Sequence, residues 1–277
     1  MPRFLLFWAA APAVVLSVWL LHLAEAPRSM QTLQVVMASV AAAVFVVLVS
    51  MRRVRPTGDI RWFALALALW LFIPLLADSQ DGPERWLVLG SVRLYVAPIV
   101  LPLLLLLIGA PLRVPAIYAA SVAIAATALA LQPDASQLSA FALAMLVLLA
   151  APSAHLLLRW TLLAVLLCCA VVAWRTPDPL APVRYVEGVF NLAAEISPFA
   201  LVAALISAAL PVMAFAWVAR LTRSRGTFAV AVYYTSLFAL SPLQVTPVPL
   251  LGFGAGPILG YFLVAGAISR ESGNDAA

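Results

Sequence analysis

Apolar runs of roughly 16 to 20 residues recur along this chain, separated by breaks that hold most of its charge and many of its prolines. Crossing a bilayer core takes about 20 apolar residues in helical form. Lipid offers no partner for backbone N–H and C=O groups, so each run must satisfy its own, and repeated runs specify a helical bundle. Ten candidate helices fall near 4–23, 33–51, 62–77, 94–109, 115–131, 138–152, 156–174, 189–219, 227–243 and 250–268. Several are short enough that tilting, kinking or burial inside the bundle is expected. Composition agrees, with 65% of the 277 residues hydrophobic and 10% charged, against about 25% charged in soluble domains. So little charge cannot clothe a water-facing surface. This excludes a soluble enzyme, a secreted disulfide module and a nucleic-acid-binding domain. The expected fold class is all-α, a polytopic membrane helical bundle of about ten transmembrane helices. No linker or shift in composition divides it, so residues 1–277 read as a single integral membrane domain.

The first run could be mistaken for a signal peptide, since Arg3 precedes it and Ala24-Glu25-Ala26 looks like a cleavage site. Its span length, and Pro27 just after the would-be cut, favour a first membrane helix.

Charge gives an orientation. The net charge is +5, and all sixteen basic residues are arginine, a bias that a GC-rich coding sequence produces. Arg52, Arg53, Arg55, Arg61, Arg113, Arg159, Arg220, Arg223 and Arg225 fall in even-numbered loops. Glu25, Asp78, Asp81, Glu84, Asp134, Asp178 and Glu187 fall in odd-numbered ones. By the positive-inside rule both termini are cytoplasmic, in an inner membrane if the source is bacterial.

The odd loops carry polar residues among prolines and aromatics, which plain connectors do not need. The third holds Gly82, Arg85 and Trp86 and runs through Leu89-Gly90. The fifth reads Leu131-Gln132-Pro133-Asp134. The seventh, with Pro177, Pro179 and Pro182, ends at Arg184 and Glu187, and Glu195 follows. The ninth holds Thr246-Pro247-Val248-Pro249 and Gly252-Phe253-Gly254. In this order, and in these loops, the chain resembles the SEDS family of cell-wall polymerases, the FtsW/RodA/SpoVE-like proteins. That family carries Gly-Ala-x-Arg-Trp-Ile-x-Leu-Gly, Leu-Gln-Pro-Asp-Leu-Gly-Thr, Asp-Phe-Ile-Phe-Ala-Val-Leu-Ala-Glu-Glu and Pro-Leu-Pro-Phe-x-Ser-Tyr-Gly-Gly at the corresponding places. The likeness runs from about residue 55 to 268.

The departures are specific. Where the family has Gln-Pro-Ser-Glu-Leu-x-Lys, this chain has Tyr95-Val96-Ala97-Pro98-Ile99-Val100-Leu101, without the Glu or the Lys. The seventh loop is short, Glu187 stands at the essential Asp, and Gly252 and Phe253 replace Ser and Tyr. The resemblance is to a diverged or degenerate member.

The resemblance implies a peptidoglycan glycosyltransferase that joins lipid-linked disaccharides at the outer face, with a role in cell shape or cell division. It implies a penicillin-binding transpeptidase as partner, alongside the lipid-linked precursor and membrane lipids. Such chemistry needs a carboxylate as general base on a sugar hydroxyl and planar, bidentate Arg groups on a diphosphate. Glu187 is the candidate base, or else a solvated charge at a helix start. Glu195, eight residues on, shares its face on a regular helix and sits in an apolar span. There it is a second catalytic candidate or an ion pair inside the bundle. Substrate-binding candidates are Arg85, Trp86, Gln132, Asp134, Arg184, Pro247, Pro249 and Gly254. Asp134 and Gln132 equally suit helix capping, and Arg85 equally suits pairing with Glu84, Asp81 or Asp78.

No cofactor and no metal site is expected. Cys168 and Cys169 are neighbours in an apolar run, and His22 and His155 stand apart. Gly256 and Gly260, four apart, fit close helix packing rather than a nucleotide loop. Two other functions compete: a small transporter or lipid flippase, suggested by Asn191, Glu195 and the prolines, and a non-catalytic membrane scaffold.

Overall fold

A computed structural model of the protein describes residues 4–51, 60–76, 85–90, 92–109, 116–150, 156–177 and 181–272. Glu84, Asp81, Asp78, Arg113, Asp178 and His155 lie outside them.

Twelve helices and one hairpin make up the described chain. α1 is Leu5–Leu23, α2 Arg28–Ser50, α3 Ile60–Trp70, α4 Ile73–Leu76, β1 Trp86–Leu89, β2 Val92–Tyr95 and α5 Ala97–Gly109. α6 is Ala116–Leu131, α7 Ala135–Leu149, α8 Leu156–Arg175, α9 Val189–Ile196, α10 Pro198–Thr222, α11 Arg225–Leu240 and α12 Ala255–Ser272. Five segments are long and apolar enough to cross a membrane: α1, α2, α8, α10, and α11 continued to Leu243; α3, α5, α6 and α7 are shorter apolar helices. The molecule is a polytopic helical membrane protein.

Two expected helices are each broken in two, for identifiable reasons. The run at 62–77 divides because Pro74 has no N–H and clashes with the preceding turn. Leu75 N–H then bonds back only to Phe72 (3.1 Å), and the Leu71 carbonyl is taken by the Gln132 amide at 2.5 Å. The run at 189–219 breaks at Ser197, held extended (φ −171°, ψ 156°) by the proline that follows. Ser197 caps α10 by accepting the Ala200 N–H at 3.1 Å, and Pro198 fills the first helical position, where no N–H is missed.

The expected fourth helix also starts later, at Ala97. Before it, β1 and β2 pair antiparallel, Trp86 opposite Tyr95 and Leu87 opposite Leu94. Residues 94 and 95, expected to begin that helix, belong instead to a two-stranded ribbon with part of the third loop. α2 and α7 begin five and three residues earlier than hydropathy suggests, because their first turns are polar.

At the centre, α12 packs along α2 and α5, while α11 packs along α7, α5 and α10. α5 is buried on nearly every face. α8 instead points Leu157, Trp160 and Leu167 outward, and Trp8, Phe199 and Met213 do the same on α1 and α10. Lipid is as apolar as leucine, so helices associate through close packing of small residues. A Cβ on Gly260 of α12 would lie 1.9 Å from the Pro98 carbonyl oxygen of α5, and one on Gly109 would lie 2.3 Å from the Gly226 Cα of α11. Both helix pairs touch backbone to backbone.

Candidate functional site

The odd-numbered loops meet at one end of the bundle, and buried polar side chains join them. Asp134, fully buried, caps α7 by accepting the Gln137 N–H at 3.3 Å and the Ser136 hydroxyl at 3.3 Å. Its other oxygen accepts the Tyr95 hydroxyl from β2. Arg85, itself buried just before β1, sits close enough for its charge to act on both Asp134 and Tyr95. Burial raises the Asp134 carboxyl above its ordinary value, against the pull of the Arg85 charge and of the Tyr95 and Gln137 hydrogen bonds. Burial likewise holds the Tyr95 phenol well above its usual range, with the neighbouring carboxylate adding to the effect. Deeper in, the Tyr233 hydroxyl of α11 donates to the Gln137 side-chain oxygen. Hairpin, α6–α7 turn and α11 are thus tied by one buried network, whose groups would be costly if left unsatisfied.

The seventh and ninth loops join through the backbone. Val248 N–H donates to Val186 O at 3.1 Å, and Phe253 N–H donates to Tyr185 O at 2.8 Å. Gly252 is pressed into this seam, where an added Cβ would lie 2.5 Å from Val186 O. Gly254 adopts φ +154°, a conformation that side chains with a Cβ rarely take.

Between α2, the hairpin, the 181–187 segment and the 247–257 segment lies a cavity of about 810 Å³. Its walls include Trp86, Arg93, Tyr95, Glu187, Pro247 and Gly254, while Met30, Leu33 and Val36 of α2 make an apolar side. A small recess of about 20 Å³ adjoins it, where Arg85, Trp86, Glu187 and Gln244 converge. Apolar walls with a few convergent polar groups describe a ligand site.

The expected site residues divide accordingly. Trp86, Glu187, Pro247 and Gly254 line the large cavity, and Arg85 reaches the recess. Asp134 and Gln132 lie beneath, engaged with Tyr95 and Leu71. Pro249 is buried in the ninth loop, and neither cavity includes it among its walls. Arg184 and Glu195 pair with each other at 2.5 Å, with side chains 55% and 60% exposed, and they line neither cavity. Glu195 is therefore not inside a span; the break at Ser197 puts it near the end of the short α9. Glu187 precedes the helix that carries Glu195, so the two do not share a regular helical face. Its carboxylate accepts the Val183 N–H at 2.8 Å, closing its own turn.

Residues absent from the sequence-based candidates complete the site. Arg93 puts a cation on the cavity wall, and Gln34 of α2 reaches both cavity and ninth loop. Gln34 had a signal, a lone amide inside an apolar run. Arg93 and Tyr95 had none, since such residues ordinarily anchor a span at the membrane edge.

These features define a membrane helical bundle whose odd loops build a cavity at one end. No family model matches the sequence, and no curated protein aligns with it significantly. Among solved structures, the chain is similar to the rod shape determining protein RodA of Thermus thermophilus, at 17% identity and a TM-score of 0.68, over 96% of this chain and 95% of that one. A RodA variant with one Asp replaced by Ala superposes equally, with 18% identity, a TM-score of 0.68 and 96% of both chains covered. The likeness at this identity is one of fold, and the fold is RodA-like.

Proposed function

We propose that this chain is a SEDS-like cell-envelope protein, a single membrane domain, that binds a lipid-linked cell-wall disaccharide precursor with weak or absent polymerase activity. The observation that carries the reading is the large cavity, with an apolar α2 side for a lipid chain and a polar side built from Arg93, Trp86 and Glu187. A guanidinium there suits a diphosphate, and an indole suits a sugar face. The cavity end holds the loops with fewer arginines than the opposite end, so in this reading it faces outward and both termini are cytoplasmic. Reporter fusions at Arg223 and Gln132 should read inside and outside respectively.

Polymerisation demands more than binding. A base must reach the attacking hydroxyl with a free lone pair. One oxygen of the Glu187 carboxylate accepts the Val183 N–H, which fixes where the group points. Glu for Asp also shifts the carboxylate by about 1.5 Å, and a misplacement of about 1 Å can cost roughly a hundredfold in rate. Arg184 is held by Glu195 away from the cavity. The partner expected from the resemblance is a penicillin-binding transpeptidase.

The test supplies purified protein, alone and with its cognate transpeptidase, with lipid-linked disaccharide. Binding without polymer, weakened by Arg93→Ala, supports the reading. Robust polymer that disappears in Glu187→Gln overturns the loss of catalysis. An absence of binding in the folded protein overturns the precursor site.

A further inference from the structure

Gln34 lies in the second turn of α2, 1% exposed, with Leu33, Val35 and Val36 beside it in sequence. Its side-chain amide is nevertheless well matched. The NH₂ group donates to the Ser17 hydroxyl of α1 at 2.8 Å and to the Gly252 carbonyl at 3.3 Å. The oxygen accepts the Gly254 N–H at 3.2 Å. One side chain thus grips the backbone of the ninth loop on both sides of Phe253, as a neighbouring strand would. The partners lie 218 and 220 residues away in sequence.

The grip is transmitted. Phe253, between the two gripped residues, donates to Tyr185 O at 2.8 Å, and Val248 donates to Val186 O at 3.1 Å. Those two acceptors precede Glu187 directly. Gly252 has no room to shift toward that turn, because its Cα already faces Val186 O and Val248 O at close range. A continuous chain of hydrogen bonds therefore runs from α1 through Gln34 and the ninth loop to the turn that carries Glu187.

We propose that Gln34 is a positioning residue, which fixes the ninth loop and the Glu187 turn as one rigid wall of the cavity. The inference rests on reading that cavity as the precursor-binding site. An amide suits the task because it both donates and accepts; a hydroxyl is too short to span two residues of backbone, and a charged group would be expensive at this depth. Methionine at this position keeps length and volume and removes every hydrogen bond.

The experiment compares full-length protein, Q34M and S17A in lipid nanodiscs, by amide hydrogen exchange and by binding of lipid-linked disaccharide. In Q34M, exchange at Gly252, Phe253 and Gly254 should accelerate about tenfold or more, with Gln137 in the first turn of α7 unchanged. The Kd for the disaccharide should rise by a similar factor. S17A removes only the outer anchor, and its exchange at 252–254 should stay within about twofold of the parent. Unaltered exchange at 252–254 in Q34M would overturn the clamp. Faster exchange with unaltered Kd would overturn its link to the site. If the parent binds no disaccharide, the functional reading fails, while the exchange data still decide the clamp. Should Q34M not fold, Q34N, which keeps the amide on a shorter stem, reads the same amides.

Discussion

The two ends of the bundle are built in different ways. At the even-loop end, helices meet by removing side chains: Gly109 of α5 lies against Gly226 of α11. Ser224 caps α11 by accepting the Thr227 N–H at 3.2 Å, and Arg220, Arg223 and Arg225 are exposed beside it. At the odd-loop end, loops meet by adding polar side chains. Asp134 joins turn to hairpin, Gln132 takes the Leu71 carbonyl freed by Pro74, and Gln34 grips the ninth loop. The first is a packing solution and the second a hydrogen-bonding one. Small residues suffice where helices only need to touch. Irregular backbone near a membrane must instead be satisfied group by group, and it is tolerated where it is buried in protein or lines a cavity.

The largest expected effect attacks the polar end. Asp134→Ala removes the cap of α7, the acceptor for Tyr95 and the negative charge beside Arg85. The sum is about 3 kcal/mol or more of lost stability, read by thermal unfolding in detergent. Asp134→Asn keeps the shape and should lose less, and it isolates the charge. Because burial raises the folded-state value of this carboxyl, the native protein binds the proton more tightly than the unfolded chain. Its contribution is full below about pH 4 and declines as pH rises through the raised value. The Tm of the parent minus that of Asp134→Asn should therefore be greatest near pH 4 and smaller at pH 7. The opposite slope would mean that Arg85 outweighs burial.

Next come substitutions that strike both ends alike in stability and unlike in function. A Cβ on Gly109 meets Gly226 Cα at 2.3 Å, and one on Gly256 meets Tyr95 O at 2.2 Å. Either Gly→Ala change overpacks a backbone contact, for about 1–3 kcal/mol. Only Gly256 lines the cavity, so only Gly256→Ala should weaken capture of lipid-linked disaccharide when both are assayed well below their unfolding temperatures. Equal weakening by the two would mean that the ends are mechanically coupled.

The same contrast explains what was legible in the sequence. The order of the helices followed from apolar runs, but ten runs become twelve helices because Pro74 and Ser197-Pro198 each divide one; the glycines of α12 announced its close packing. Ser197-Pro198 carried a helix-start signal, but the continuous apolarity around it hid the break. The hairpin offers no local signal: two four-residue strands, Trp86–Leu89 and Val92–Tyr95, are too short to show a period, so 86–93 reads as loop and 94–95 as the start of a helix. The motif-bearing loops do converge, and Glu187, Trp86, Pro247 and Gly254 do line one cavity. What no local pattern could show is which polar group meets which. Tyr95 meets Asp134 across 39 residues, and Gln34 meets Gly254 across 220. Such pairings depend on how whole helices are arranged, not on propensity or period.

The smallest effect tests a residue pair that belongs to the odd-loop end by position but not by construction. Arg184 and Glu195 form a close ion pair, yet both side chains are more than half exposed. An exposed pair gains little, because solvent screens it and two long side chains must be ordered, so its worth is about 0–1 kcal/mol. Arg184→Ala and Glu195→Ala should each lower stability by less than about 1 kcal/mol, and the double variant should not exceed their sum by more than a few tenths. Disaccharide binding should be unaffected, since neither residue lines the cavity. A Glu195→Ala variant that loses binding while keeping its Tm would bring α9 into the site. The line between the buried network and the loop surface would then have to be redrawn around Arg184, the member of the pair three residues from Glu187.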